Sequence, residues 1–429
     1  MAQLAEGVRS AASKSAWMRT RQKQQPLEHR LLLTATFCLL AGGAVMVYSA
    51  SSARTLLQGQ GDGTGYLLKY VAYGAVGLIG MNVVSRVPLD VFKRITPILL
   101  LGAFALLVLV KVPGFGIRIN GARRWIGAGP LQFQPSELMK LALVLHAAAM
   151  LSARPKIARN LRTVAGPILG VGGCAVLLIA SQPDLGTALV ISATLTAMLI
   201  AAGLPIRQLA LVAGVGAFLV LIFAIVEPYR RARLTAFMNP WADHGAAGYQ
   251  AVQGQIAIGS GGLFGHGLGA SVQKTSYLPE AHTDFILAVI GEELGLVGIL
   301  AVLLLYGMIG YAGLRTARQA KGAYAKLLAA GVTALILCQA LLNVYAVLGL
   351  APLTGVPLPF ISSGSTSLVV LLGGMGLLLN VASGGHAHLR AVPKRPKEAR
   401  DRAAADRDRR RRDGGPRRSG DSGRRRAAG

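Results

Sequence analysis

The sequence predicts an all-α fold: a polytopic membrane protein with about ten transmembrane helices and a long external loop between spans seven and eight. Three observations carry that prediction. Mean hydropathy is +0.50, only 15% of residues are charged, and apolar runs of near-spanning length recur along the 429-residue chain. The spans have to be helices, because hydrocarbon offers no partner to an open backbone group.

The first run, 31–50, follows Arg19, Arg21, Lys23 and Arg30 and precedes YSASSA, which has the outline of a secretory signal. Its apolar stretch exceeds the ~7–15 residues of a signal core and further spans follow, so it reads as a retained anchor. Runs two and three, 66–84 and 95–112, are separated by a loop holding Lys93 and Arg94. Run four, 138–152, opens at QPSELMK, where Pro135 and Ser136 read as a helix start with Ser136 as N-cap. Runs five and six, 163–180 and 185–203, are joined by the turn in SQPDLGTA. Run seven, 209–227, precedes the stretch 228–284, which is too long for a simple connector. Within it, AIGSGGLFGHGLGA is apolar but crowded with glycine, as suits a re-entrant or surface segment where backbones pack closely. Runs eight, nine and ten fall at 285–312, 327–350 and 366–383.

Basic residues recur in alternate loops: Lys93 and Arg94; Arg154, Lys156, Arg159 and Arg162; Arg315, Arg318, Lys321 and Lys326. That pattern puts these loops and both termini in the cytoplasm. Two external stretches are basic against the trend, Arg118, Arg123 and Arg124 after span three and Arg230, Arg231 and Arg233 after span seven; they call for an anionic partner.

The chain divides into a basic extension at 1–30, one membrane domain at 31–385 and a basic tail at 386–429. The tail carries much of the formal charge of +27 and lacks apolar periodicity, so it is expected to be disordered in the cytoplasm. A solvated topogenic segment or one drawn to anionic lipid both fit; nucleic acid is not expected as a partner. No repeat of fixed period is present. Cys38, Cys174 and Cys338 lie in apolar runs and read as packing residues, not as a disulfide framework.

Ionisable groups inside or beside hydrocarbon are costly unless they face protein or water, so those at the external ends are the candidate site. Glu137 and Lys140, at i and i+3, share one helix face and read either as a local ion pair or, beside Arg123 and Arg124, as part of a pyrophosphate site. Asp184 is an N-cap or a member of that site. YLPEAHTDFILAVIGEELG, with Lys274 just upstream, sets Glu280 and His282 before Asp284 at the mouth of span eight, with Glu292 and Glu293 inside it; the two glutamates are expected to face the interior in hydrogen-bonded, structural use. HExxH, CxxC, GxSxG and GxxxxGK[ST] patterns are absent, so neither zinc, a nucleophile elbow nor a phosphate loop is indicated. A carboxylate-bound Mg²⁺ or Mn²⁺ held partly by substrate phosphates stays open. PLTGVPLPFISSG reads as a rigid turn.

GARRWI, QPSELMKL, QPDLGTA, YRRARLTAFMNPWAD, YLPEAHTDFILAVIGEELG and PLTGVPLPFISSG, in this order, resemble the SEDS (shape, elongation, division and sporulation) family over nearly all of 30–385, and the division branch in particular. The sequence departs from the family pattern at Gly254 and at Ser365. The resemblance implies a peptidoglycan glycosyltransferase that polymerises lipid II at the septum of the bacterial cytoplasmic membrane. It also implies a class B penicillin-binding protein and other division proteins as partners. On that pattern Asp284 is the essential external acid, and Arg124, Glu137, Lys140 and Asp184 line the cavity. The chemistry then calls for Asp284 as general base, with Arg123, Arg124 and Lys140 receiving the pyrophosphate. His282 and Lys274 are added as substrate contacts. A lipid II flippase that uses the same charges without forming a bond is the alternative, and a scaffold for division proteins a third.

Overall fold

The computed structural model of the chain describes residues 26–57, 59, 63–119, 122–128, 131–153, 165–226, 237–243, 248–276 and 278–384. The expectations for the basic extension up to 25, for Arg154, Lys156, Arg159, Arg162, Arg230, Arg231 and Arg233, and for the tail from 385 lie outside the described residues.

Every apolar run lies on a helix. These are α1 (Leu27–Leu57), α2 (Thr64–Arg86), α3 (Leu89–Leu109), α4 (Pro135–Ala153), α5 (Val171–Ala180, after a π-helical turn Ala165–Gly170), α6 (Leu185–Ala201) and α7 (Ile206–Val226). The shorter α8 (Tyr249–Ser260) and α9 (Gln273–Ser276) follow, then α10 (Ile286–Gln319), α11 (Ala323–Val347) and α12 (Ser365–Ala382). Among the described residues, seven of these, α1–α4 and α10–α12, are long and apolar enough to cross a membrane. The chain is a multi-pass membrane protein. Of the apolar windows of α2 and α3 only 22% and 17% is buried, against 67% and 72% in α11 and α12, so the last two form the interior of the bundle and the first two its rim. Cys38 and Cys174 are exposed on outward faces and therefore do not pack the core; only Cys338 is half-buried.

Three features that no apolar run announces position the polar groups. The first is an antiparallel sheet between α3 and α4, β1 (Gly116–Ile119), β2 (Ala122–Ala128) and β3 (Leu131–Phe133), with Arg118 opposite Arg123. The second is a break in α10 at Gly295, whose φ of 66° and ψ of −162° interrupt the helical ladder. The backbone groups released there are taken up by the glycine-rich loop: His266 and Gly267 N–H donate to the Glu292 and Glu293 carbonyls, and Leu296 and Val297 N–H donate to those of Gly262 and Leu263. Any side chain at Gly265 would run into the Glu293 carbonyl, which is why this close approach needs glycine.

The third feature is the non-helical segment 351–364 between α11 and α12, most of which from Val356 to Ser362 is buried inside the bundle. Buried backbone outside a helix needs partners, and four side chains from three helices supply them. Asn343 Nδ2 donates to Val356 O at 2.8 Å, Gln339 Nε2 to Pro357 O at 3.0 Å, Tyr306 Oη to Pro359 O at 2.5 Å and Tyr70 Oη to Phe360 O at 2.6 Å. The clamp holds Phe360 at a φ of 65°, a conformation a bulky residue adopts only when its surroundings impose it.

A cluster of charges around the buried loop

α4 starts at Pro135 and turns its first two turns inward, so that Glu137 and Lys140 are each only 2% exposed. They pair at 2.8 Å. The Lys140 ammonium, which meets Glu137 Oε2 in that pair, also donates to Gln339 Oε1 at 2.6 Å, and no other donor reaches Glu137 Oε2 among the described residues. Gln339 in turn donates to Pro357 O and to Ser367 Oγ at 3.2 Å.

Asp184 is the N-cap of α6 and also bonds the entry of α4. Oδ1 caps α6 by accepting from Thr187 N–H at 3.2 Å, and Oδ2 accepts from Gln134 Nε2 at 3.1 Å and Ser136 Oγ at 3.3 Å. Ser136 therefore serves Asp184 and does not cap α4, a correction to the expected cap. The same turn is gripped from the sheet: Arg124 Nε donates to Gln182 O at 3.0 Å and its terminal nitrogen to Pro183 O. Beyond Asp184, Gly186 packs against Thr354 and Val356. Gln134 N–H donates to Thr366 Oγ1 at 3.2 Å, which joins the entry of α4 to that of α12.

Asp284 precedes α10 and is partly exposed. Asn343 Nδ2 donates to its carbonyl at 2.8 Å, and Thr283 Oγ1 to its Oδ1 at 3.2 Å. Gly355 lies beneath the carboxylate; a Cβ placed there would come within 3.8 Å of Oδ2. His282 stacks edge-on against Tyr66 at 4.6 Å, and its carbonyl accepts from both N–H (3.2 Å) and Oγ (2.8 Å) of Ser363. Phe285 packs its ring where any side chain at 254 would sit, a physical reason for Gly254.

Loop 351–364 is thus the common neighbour. It meets Asp284 through Asn343 and Gly355, His282 through Ser363, Lys140 through Gln339, and the Asp184 turn through Gly186. Arg124 joins by way of that turn. Arg123 is exposed on β2 and shows no tie to the cluster among the described contacts.

Lys274, expected beside Asp284, is placed elsewhere. It is 3% exposed, bonds Glu293 Oε1 at 2.6 Å and Ser49 Oγ at 3.0 Å, and Ser49 Oγ reaches both Glu293 oxygens at 2.7 and 2.8 Å. Its charge is matched there. Glu292 is equally committed, accepting from Ser271 Oγ at 2.5 Å and from the N–H groups of Val272 and Gln273 at 2.8 and 3.3 Å. Both glutamates are interior and structural, as their place inside span eight implies. Gln339 and Asn343 escaped the sequence reading. Two carboxamides four residues apart within an apolar run were the available signal.

Among the described residues no three His, Cys, Asp or Glu side chains converge as a metal cage. His146 Nε2 instead donates to Pro167 O at 2.8 Å.

The model of the cell cycle protein family FTSW_RODA_SPOVE matches residues 29–386. The stage V sporulation protein E of Bacillus subtilis (strain 168) is 39% identical over 352 residues, 82% of this chain and 96% of that protein. A probable peptidoglycan glycosyltransferase FtsW of Thioalkalivibrio sulfidiphilus (strain HL-EbGR7) is 41% identical over 378 residues, 84% of this chain and 93% of its own. Among solved structures, a chain from a study of how a peptidoglycan synthase complex coordinates polymerization and crosslinking superposes with a TM-score of 0.69 at 30% identity, covering 83% of this chain and 98% of that one.

Proposed function

The chain belongs to the FtsW/RodA/SpoVE family of cell cycle proteins, and from that membership we propose that it is a peptidoglycan glycosyltransferase that polymerises lipid II, with Asp284 as general base. The observation that carries this reading is the convergence of Asp284 and the Lys140–Glu137 pair on one buried loop, through amides a single helical turn apart.

Polymerisation joins a sugar 4-hydroxyl to an anomeric carbon and breaks the bond from that carbon to the lipid pyrophosphate. The departing pyrophosphate is already an anion, so it needs positive charge more than a proton, and one protein base suffices. Asp284 accepts the hydroxyl proton. Lys140, with Arg124 at the rim and the exposed Arg123 as a steering charge, faces the pyrophosphate, while Glu137 and Asp184 hold the cations and the turn in place. His282 frames the mouth against Tyr66. A partly exposed carboxylate fits the way Mg²⁺ is held, by one or two protein oxygens plus substrate phosphates and water, so a Mg²⁺ or Mn²⁺ ion would be held by Asp284 and the pyrophosphate together. Such an ion would neutralise phosphate charge.

The reading extends to placement. The basic loops put both termini in the cytoplasm and loop 351–364 at the outer face, where both lipid-tethered substrates reside. It also takes the division branch, at the septum, with a class B penicillin-binding protein as the transpeptidase that crosslinks the glycan. The test is purified protein, with that partner, incubated with lipid II. Wild type is expected to make glycan polymer and Asp284→Asn none, at unchanged expression and melting temperature. Polymer from Asp284→Asn at the wild-type rate overturns the assignment. Transport of lipid II without polymer from wild type would favour a flippase.

A further inference from the structure

We infer that Gln339 and Asn343 are positioning residues, a two-rung ruler on α11 that sets the spacing between the base and the pyrophosphate-binding cation. This inference rests on the function proposed above.

Both amides are fully enclosed, at 0% and 2% exposure, in a helix that otherwise suits hydrocarbon, a place where polar groups persist only with a task. Their bonds divide between loop and site. Gln339 grips Pro357 O with its nitrogen and the Lys140 ammonium with its oxygen. Asn343 divides one nitrogen between Val356 O and Asp284 O, both at 2.8 Å. Each amide thus ties one site residue to one rung of the same extended segment, and four residues of α-helix separate the rungs by about 6 Å.

The clamp tyrosines show what a purely structural bond looks like here. Tyr306 and Tyr70 hold the Pro359 and Phe360 carbonyls of the same loop and bond neither Asp284 nor Lys140. The amides differ in a second respect. Asn343 Oδ1 is buried and accepts no hydrogen bond among the described residues, whereas both tyrosine hydroxyls are spent on the loop carbonyls.

A displaced base still binds substrate but reacts slowly, because a shift of about 1 Å in a reacting group costs on the order of a hundredfold in rate. The experiment compares Asn343→Ala, Gln339→Ala and Tyr306→Phe, each purified as the full chain with its transpeptidase partner and assayed with lipid II alongside Asp284→Asn. All three are expected to melt a few degrees below wild type. Asn343→Ala and Gln339→Ala are expected to lose 10- to 100-fold in kcat with KM within about threefold, and Tyr306→Phe to keep kcat within about threefold. Should Asn343→Ala fail to fold, Asn343→Asp, which keeps the volume and loses both donors, replaces it.

A kcat loss no greater in the amide variants than in Tyr306→Phe overturns the ruler, as does failure of both Asn343 variants to fold while Tyr306→Phe folds. Either result with an inactive Asp284→Asn leaves the proposed function standing. Activity in Asp284→Asn overturns that function itself.

Discussion

Lys274 with Glu293 and Lys140 with Glu137 are both buried ammonium–carboxylate pairs, and in both the ammonium also bonds a polar side chain from another helix. They differ in saturation. Around Glu293, each carboxylate oxygen receives Ser49 Oγ, and the ammonium bonds Ser49 and Glu293 together. Around Glu137, Oε2 is met by the Lys140 ammonium alone at 2.8 Å among the described residues, and that ammonium is shared with an amide that also holds the site loop. A closed pair ties α1 to the approach of α10 and has nothing left to offer a ligand. The pair at Glu137 is the more open one, its ammonium shared with the loop-bound amide of Gln339. Residue type does not separate these two pairs; the partners that reach each of them do.

Breaking the closed pair has the largest expected effect. Glu293→Gln should cost about 3–5 kcal/mol, because it leaves the Lys274 charge buried and unmatched; a lowered melting temperature in detergent with unchanged activity per folded molecule would bear this out. Removing both partners, as Lys274→Met with Glu293→Leu, should recover most of that loss. The matching double replacement at the open pair, Glu137→Gln with Lys140→Met, should melt near wild type yet lose about 10²–10³ in kcat, the scale for deleting one group that stabilises developing charge. Equal activity in the two double variants would erase the distinction.

A smaller effect probes the loop beneath Asp284, the proposed base. Gly355→Ala forces a left-handed backbone at φ 68° and sets a methyl 3.8 Å from Asp284 Oδ2, and should lower kcat about tenfold. The smallest is expected at Arg123, exposed on β2. Arg123→Ala should change kcat/KM less than threefold at physiological salt, and by more as ionic strength falls.

How much of this was readable beforehand follows from what each part requires. A spanning helix needs only length and hydropathy, so α1–α7 and α10–α12 show through where apolar residues run on, and Asp184 and Glu137 are found because charge stands out against them. β1–β3 are three to seven residues long with arginine and glycine among them, too short to impose a period. Loop 351–364 reads as a turn because its importance lies in carbonyl oxygens, which every residue carries alike. What singles it out is the set of donors that reach it from helices distant in sequence: Tyr70, Tyr306, Gln339 and Asn343. Lys274 misleads for the mirror-image reason: its nearness to Asp284 along the chain says nothing about Ser49, 225 residues away, which accepts a hydrogen bond from it.

The junction between the glycine-rich loop and the interrupted α10 has a bearing on chain length. Two backbone bonds run from loop to helix and two from helix to loop, all in one register between 262 and 297. Adding or dropping a residue on either side would desynchronise all four, whereas exchanging Phe264, which points outward at 81% exposure, disturbs none. This seam should therefore vary freely in side chains and hardly at all in residue count, and a compensating insertion would have to arise on both sides of the splice at once.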